Sequence, residues 1–297
     1  MYFTSICLLY FFNMYGFVVN SIINNPSNFI KKFNSIRHLN LERNTNIILR
    51  KYHEQYSNNN ITHFFNDYPD VDNASLITLT PGGLKGFYNL GTAVYVKENY
   101  NLTNYIYSGV SAGAWNGLLM TYKHNPHELA IQILDSIKEN NKLKTVYDTQ
   151  MYMKEQILSN YCDGMFELDK LYIGVTCIKN NKIFTNIYSD FNDLEDAIDC
   201  CIASSNIPFI TGICEIEYNN YLSLDGGFST NPYVNKKSVL EIAPDMWNKN
   251  VNFQTCIKKH NLHKIFFYNN NVNFYELYVK GYSDAKNNKD KLDYMLS

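Results

Sequence analysis

Residues 75–86 read SLITLTPGGLKG, and residues 105–123 read YIYSGVSAGAWNGLLMTYK. Each begins with a short run of apolar, β-branched or aromatic residues, passes through a glycine-bearing turn and continues into a segment with helical spacing of its apolar residues. Two successive strand-turn-helix units predict an α/β fold, a parallel sheet wrapped by helices. In such a sheet both turns open on the same edge, where ligands bind.

Working outward, PHELAIQILDSIKEN carries apolar residues at 129, 130, 133, 134 and 137, the stripe of an amphipathic helix. LYIGVTCI and KIFTNIYS read as a hairpin, FNDLEDAIDCCIASS as a helix, and CEIEY and YLSL, flanking Asn219-Asn220, as a second hairpin. KIFFY, residues 264–268, reads as a short buried strand, and residues 273–296 as a polar helical tail. No internal repeat is present. The expected organisation is an apolar segment over 1–22, an Asn-rich lead-in over 23–73 with a helix around 40–56, a catalytic domain over 74–270 and a C-terminal helical tail over 271–297.

The chain is long and apolar enough to bury a sizeable core. Its 26 basic and 28 acidic residues give a net charge of -2, which lacks the basic surplus of a nucleic-acid binder. Cysteines at 7, 162, 177, 200, 201, 214 and 256 form no CxxC pair and no metal-ligand spacing with histidine, so free thiols are expected, with no metal and no cofactor. Residues 1–22 lack Lys and Arg and are interrupted by Asn13. They leave open a signal peptide, a membrane anchor or a packed first helix, and with them a cytoplasmic, membrane-associated or secreted location. Sequons at Asn60, Asn73 and Asn101 matter only if the chain is secreted.

Three segments carry chemistry. Gly109-Val110-Ser111-Ala112-Gly113 is a GxSxG pentapeptide between a predicted strand and a predicted helix. A serine on so sharp a turn projects its hydroxyl outwards, and only small flanking residues fit the crowded backbone. The bland reading is a Gly-rich turn with a Ser N-cap. Pro81-Gly82-Gly83-Leu84-Lys85-Gly86 ends the preceding strand and offers backbone N–H groups for an oxyanion. It matches neither nucleotide-binding glycine pattern. Asp225-Gly226-Gly227 follows the strand YLSL and puts a carboxylate where it can take a proton from a neighbouring hydroxyl. An ordinary AspGly hairpin turn would share that sequence.

In this order the three segments resemble the patatin-like phospholipase family, whose pattern is a Gly-rich oxyanion turn, GxSxG and an AspGly(Gly/Ala) motif. Ala203-Ser204-Ser205-Asn206-Ile207-Pro208-Phe209 and Asn231-Pro232 extend the likeness, which runs from about Leu76 to about Val234. The resemblance implies a three-layer α/β/α fold with a mainly parallel central sheet. It also implies a lipid acyl hydrolase of phospholipase A2 or lysophospholipase type, independent of calcium and working through a Ser-Asp dyad. Ser111 then becomes the acyl-enzyme nucleophile, Asp225 the base, Gly82 and Gly83 the oxyanion donors, and Lys85 a cation beside them able to meet a lipid phosphate. A phospholipid or other lipid ester is the implied substrate, met at a membrane surface. The chain departs from the family at Thr80-Pro81, where the usual opening of this turn is AspGlyGlyGly, so one glycine N–H is missing.

Three other readings use the same residues, the first being the same site with another acceptor, as an acyltransferase or a neutral-lipid esterase. A conventional hydrolase triad would recruit His260 or His263, which follow Asp225 in the required order, although no HGGG-type oxyanion motif accompanies them. His124 and His127 come too soon after the nucleophile helix and read as surface residues. A catalytically silent lipid-binding module would be compatible with Pro81, less so with retention of both Ser111 and Asp225.

Overall fold

Strands β2 (Ser75–Leu79) and β3 (Tyr105–Gly109) pair in parallel, residue for residue from Ser75 opposite Tyr105 to Leu79 opposite Gly109. After their first residue both are buried throughout, as expected of central strands covered on both faces. A computed structural model of the chain describes residues 63–65, 73–140, 143, 145–179, 182–208, 211–212, 215–229, 231–247 and 273–296. The segment 1–22, the helix expected around 40–56, His260, His263 and KIFFY lie outside these residues.

Around that pair the described chain builds a mixed sheet with β1 (His63–Phe65), β4 (Leu171–Lys179), β5 (Lys182–Tyr188), β6 (Ile216–Tyr218), β7 (Tyr221–Leu224) and β8 (Ser238–Ile242). The order is β1-β5-β4-β3-β2-β8, with β7 on β4 and β6 on β7. The run β4-β3-β2-β8 is parallel throughout. The two expected hairpins are the antiparallel pairs β4/β5 and β6/β7. Asn219 and Asn220 both take positive φ, 49° and 64°, as a tight primed hairpin turn requires.

The helices are α1 (Gly86–Asn99), α2 (Ala112–Thr121), α3 (Pro126–Glu139), α4 (Val146–Asn160), α5 (Leu194–Ser204), α6 (Phe274–Asn287) and α7 (Lys289–Leu296). Their boundaries are written locally. Asn125 caps α3 ahead of Pro126, Thr145 and Asp148 form a reciprocal box at the start of α4, and Asp193 caps α5. Helices and sheet meet in a core that includes Leu118, Leu134, Leu171, Ile173, Leu194 and Ile198. A second cluster joins Ile77, Tyr107, Leu240 and Leu292. Leu76 and Ile106, next to Ile77 and Tyr107 along the same two strands and so on the opposite face of the sheet, belong to a separate cluster with Val234. This is the α/β architecture expected, a mainly parallel central sheet flanked by helices. The C-terminal segment packs closely: a Cβ at Gly91 of α1 would collide with the Tyr278 carbonyl of α6, and one at Gly281 of α6 with the Tyr88 carbonyl of α1.

Strand β4 brings the distant motifs together. Its first residues, Leu171 to Ile173, pair with the end of β3, and its later residues, Thr176 to Ile178, pair with β7 running the opposite way. β3 and β7 therefore approach one another head to head along one neighbour, and the turns that leave them meet.

Candidate active site

Ser111 sits in the turn between β3 and α2 with φ 55° and ψ -130°. A non-glycine residue reaches that region only under strain of about 1–3 kcal/mol, held in place by its surroundings. The surroundings are specific. The Ser111 N–H donates to the Ser204 hydroxyl at 2.9 Å, and that hydroxyl donates to the Gly174 carbonyl of β4 at 2.8 Å. Gly109 and Gly113 are required sterically: a Cβ on the first would strike the Gly113 carbonyl, and one on the second the Leu79 carbonyl of the next strand.

Asp225 leaves β7 with its N–H bonded to the Asn206 carbonyl at 2.7 Å, while the Asn206 side chain donates to the Ser223 carbonyl at 2.9 Å. Gly226 to Phe228 then make a turn of 3-10 helix, and the Gly227 N–H donates to Asp225 Oδ1 at 2.7 Å. Neither Gly226 nor Gly227 has positive φ, so this AspGly is no primed hairpin turn. Close approach is the reason for glycine here: a Cβ at Gly226 would collide with the Gly174 carbonyl, and a Cβ at Gly174 with the Pro232 carbonyl.

Ser111 and Asp225 line one cavity, and the serine hydroxyl lies close enough to the carboxylate to favour its charged form. Burial disfavours the charged carboxylate and pushes its pKa from 3.8 up to about 6, against the opposing pull of the Ser111 hydroxyl and of the bond from the Gly227 N–H. A carboxylate so placed is ionised at neutral pH and more basic than an exposed one.

In the turn after β2, Gly83 has φ 52° and Gly83 to Lys85 form a 3-10 turn that runs into α1. The N–H groups of Gly83, Leu84 and Ala112 have no acceptor among the described residues. Those three residues line the same cavity as Ser111 and Asp225. Gly82 and Lys85 do not line it: the Lys85 N–H closes the turn onto the Gly82 carbonyl at 3.0 Å, and its half-buried side chain lies outside the lining. Sequence reasoning named Gly82 and Gly83 and missed Leu84 and Ala112. The rule that the residue after the nucleophile donates its N–H would have found Ala112. Gly174 was not singled out, and Ser204 was named only as part of the segment 203–209. A glycine inside the otherwise apolar run LYIGVTCI was the available signal for the first.

From Ser111 the cavity, about 130 Å³, runs between α2 and α4 and is walled by apolar side chains, among them Leu90, Leu118, Met153, Ile157 and Phe166. Of the histidines, His127 pairs through Nδ1 with the Tyr278 hydroxyl at 2.7 Å and His124 packs on Tyr122, both away from the cavity. Cys162, Cys177, Cys200 and Cys201 are free, and burial pushes the Cys177 thiol up to about 11. Among the described residues no group of His, Cys, Asp and Glu could hold a metal ion, and no helix is long and apolar enough to cross a membrane.

The family profile for patatin-like phospholipase matches residues 77–235, just over half of the chain and all of this site. The chain belongs to the patatin-like phospholipase family. It is also similar to the human protein "1-acylglycerol-3-phosphate O-acyltransferase PNPLA3", 21% identical over 187 residues, covering 59% of this chain and 38% of the human protein. The match thus spans well under half the length of that relative.

Proposed function

We propose that the protein is a lipid acyl hydrolase of phospholipase A type that works through a Ser111 acyl-enzyme with Asp225 as base. One observation carries the reading: Ser111 and Asp225, both buried, line one apolar cavity beside three backbone N–H groups that have no acceptor among the described residues. Ser111 Oγ attacks the ester carbonyl carbon as its proton passes to Asp225. The carbonyl oxygen, now an oxyanion, accepts from the N–H groups of Gly83, Leu84 and Ala112, while the acyl chain occupies the cavity. Collapse expels the alcohol, which takes the proton from Asp225. Water then gives a proton to Asp225 and attacks the acyl-enzyme, and release of the fatty acid returns that proton to Ser111 Oγ. No donor is demanded of position 81, so Pro81 is compatible with turnover. The base is a carboxylate and the donors are backbone groups, so the cycle calls for neither calcium nor histidine.

A second reading is favoured by the acyltransferase name of the human relative: an alcohol acceptor in place of water would make the same site an acyltransferase. The test is fluorophosphonate labelling together with turnover of a phospholipid and a p-nitrophenyl ester by wild type, Ser111→Ala and Asp225→Asn, with circular dichroism as the fold control. Each variant is expected to lose turnover by several orders of magnitude and the double variant little more, because the pair acts as a unit. Substantial turnover by folded Ser111→Ala refutes the assignment. Acylated alcohol exceeding free fatty acid when an acceptor is supplied selects the acyltransferase.

A further inference from the structure

The cavity changes character along its length. At the end that holds Ser111 its lining includes Gly83, which is exposed, and Phe87, Val146 and Phe274, which are half-buried. At the other end Leu118, Ile157 and Phe166, 2%, 4% and 5% exposed, belong to the main hydrophobic core. The cavity therefore meets solvent beside the serine and is closed by the core at its far end.

The helices that wall it give this direction. Ser111 stands at the start of α2 and Tyr122 just past its end, about 16 Å away at 1.5 Å per residue. Phe166 forms an antiparallel bridge with Tyr122, their ring centroids 5.2 Å apart. α4 runs alongside in the same sense. In its first turn the Tyr147 N–H donates to the Thr211 carbonyl at 2.8 Å, and the Thr211 N–H donates to the carbonyl of Ile207, the neighbour of the Asn206 that receives the Asp225 N–H. At its other end Tyr161 packs edge-on against Tyr122, centroids 5.5 Å apart. Phe166 thus stands across the far end of the space between α2 and α4. It is held there on both sides: the Lys123 N–H donates to the Met165 carbonyl and the Glu167 N–H to the Thr121 carbonyl, each at 2.9 Å. Its backbone is tied to the end of α2 and cannot swing aside to lengthen the cavity.

We infer that this is a blind acyl pocket for a chain of about six carbons, and that Phe166 sets the limit. The size follows from the volume, about 130 Å³, since a cavity of about 150 Å³ walled by Leu, Ile and Phe holds one benzene. The substrates so selected are esters of short and medium acyl chains, whose ends reach Phe166 without displacing it. A palmitoyl chain would overrun the pocket and has to break into the core or stay outside. This inference rests on the acyl-hydrolase reading and deepens it by naming the acyl class.

The test measures kcat/KM for p-nitrophenyl esters from acetate to palmitate, below their micelle thresholds, in wild type, Phe166→Leu and Phe166→Ala. The wild-type value is expected to rise about three- to fourfold per methylene as far as hexanoate or octanoate, the worth of each CH₂ buried, and to fall at least tenfold by laurate. Phe166→Leu is expected to move the maximum to chains one or two carbons longer, and Phe166→Ala further. The leucine change is the milder one and decides the matter if the alanine variant fails to fold. Calorimetric titration of Ser111→Ala with methyl ketones of the same chain lengths reads the pocket without turnover and with its core intact; affinity is expected to climb to about eight carbons and then drop. A wild-type profile that climbs unbroken to palmitate, or a maximum that stays in place in the folded Phe166 variants, overturns the pocket and leaves the hydrolase standing. No hydrolysis of any ester, with a cut-off in ketone binding, overturns the hydrolase and leaves the pocket. Neither hydrolysis nor a cut-off overturns both.

Discussion

Replacing Asp225 by asparagine should remove activity and at the same time stabilise the fold, with a pH dependence the structure fixes. The carboxylate is buried, and its pKa is about 6 in the folded protein against 3.8 in an exposed chain. A raised acid binds its proton more tightly in the native state, so its contribution to stability is fully present below 3.8 and is lost as pH rises through about 6. At roughly 1.4 kcal/mol per factor of ten in the protonation equilibrium, the complete loss is about 3 kcal/mol. Asparagine nearly preserves the shape, keeps an acceptor for the Gly227 N–H, and carries no charge to bury. Its packing adds a constant offset, but the pH-dependent part belongs to the lost carboxylate alone. Urea unfolding of wild type and Asp225→Asn, followed by circular dichroism, should therefore show the variant gaining about 2 kcal/mol on wild type between pH 4.5 and 7.5, with the difference flat above about pH 7. A difference between the two proteins that stays constant over this range would refute the claim that Asp225 titrates in a buried site.

Other outcomes follow from the same geometry. For an uncharged ester, wild-type kcat/KM should rise with pH, reach half its plateau near pH 6 and stay level above it, because the base must be ionised; a profile centred near 4 would place the base in solvent. Ser204→Ala leaves the Ser111 N–H buried without its acceptor, and should cost about 1–3 kcal/mol of stability and about tenfold in kcat while circular dichroism stays native. Gly174→Ala should lower stability by about 1–3 kcal/mol and kcat further than Ser204→Ala does, because its methyl pushes the loop carrying Asp225 away from β4; differential scanning calorimetry and ester turnover read the two effects. Lys85→Ala should lower phospholipid kcat/KM about tenfold with little change on an uncharged ester if its ammonium meets the phosphate, and an equal loss on both substrates would make it a support of the oxyanion turn.

The parts of the site legible in the sequence are those whose reasons are local. Gly109 and Gly113 stand where the turn's own backbone and its immediate neighbour leave no room for a side chain, and Asp225 announces itself at a strand end before two glycines. Ser204 and Gly174 act across the sheet, through contacts between residues far apart in the chain, so a glycine in an apolar run hints at the one and residue type alone says nothing of the role of the other. The same holds for the elements. The segments 75–99 and 105–121 carry strong period and turn signals and form as expected. α4 has no sharply segregated apolar face, its Ile157 and Met153 serving the core and the cavity wall together; its Thr145-Asp148 box was the readable sign. β8, only five residues long, is a strand because β2 offers it an edge, and Thr80 ties it there through bonds from its N–H and its hydroxyl to the Ile242 carbonyl.

The head-to-head meeting of β3 and β7 on β4 also sets when the protein can work. Synthesis delivers the nucleophile strand early, but the strand that carries the carboxylate docks only after β4 is in place to receive it. A growing chain that has folded as far as α5 holds its serine in a turn with nothing to take the proton. On the proposed chemistry, acyl transfer thus waits on the β6/β7 hairpin, and a chain that ends before Leu224 has no base for Ser111.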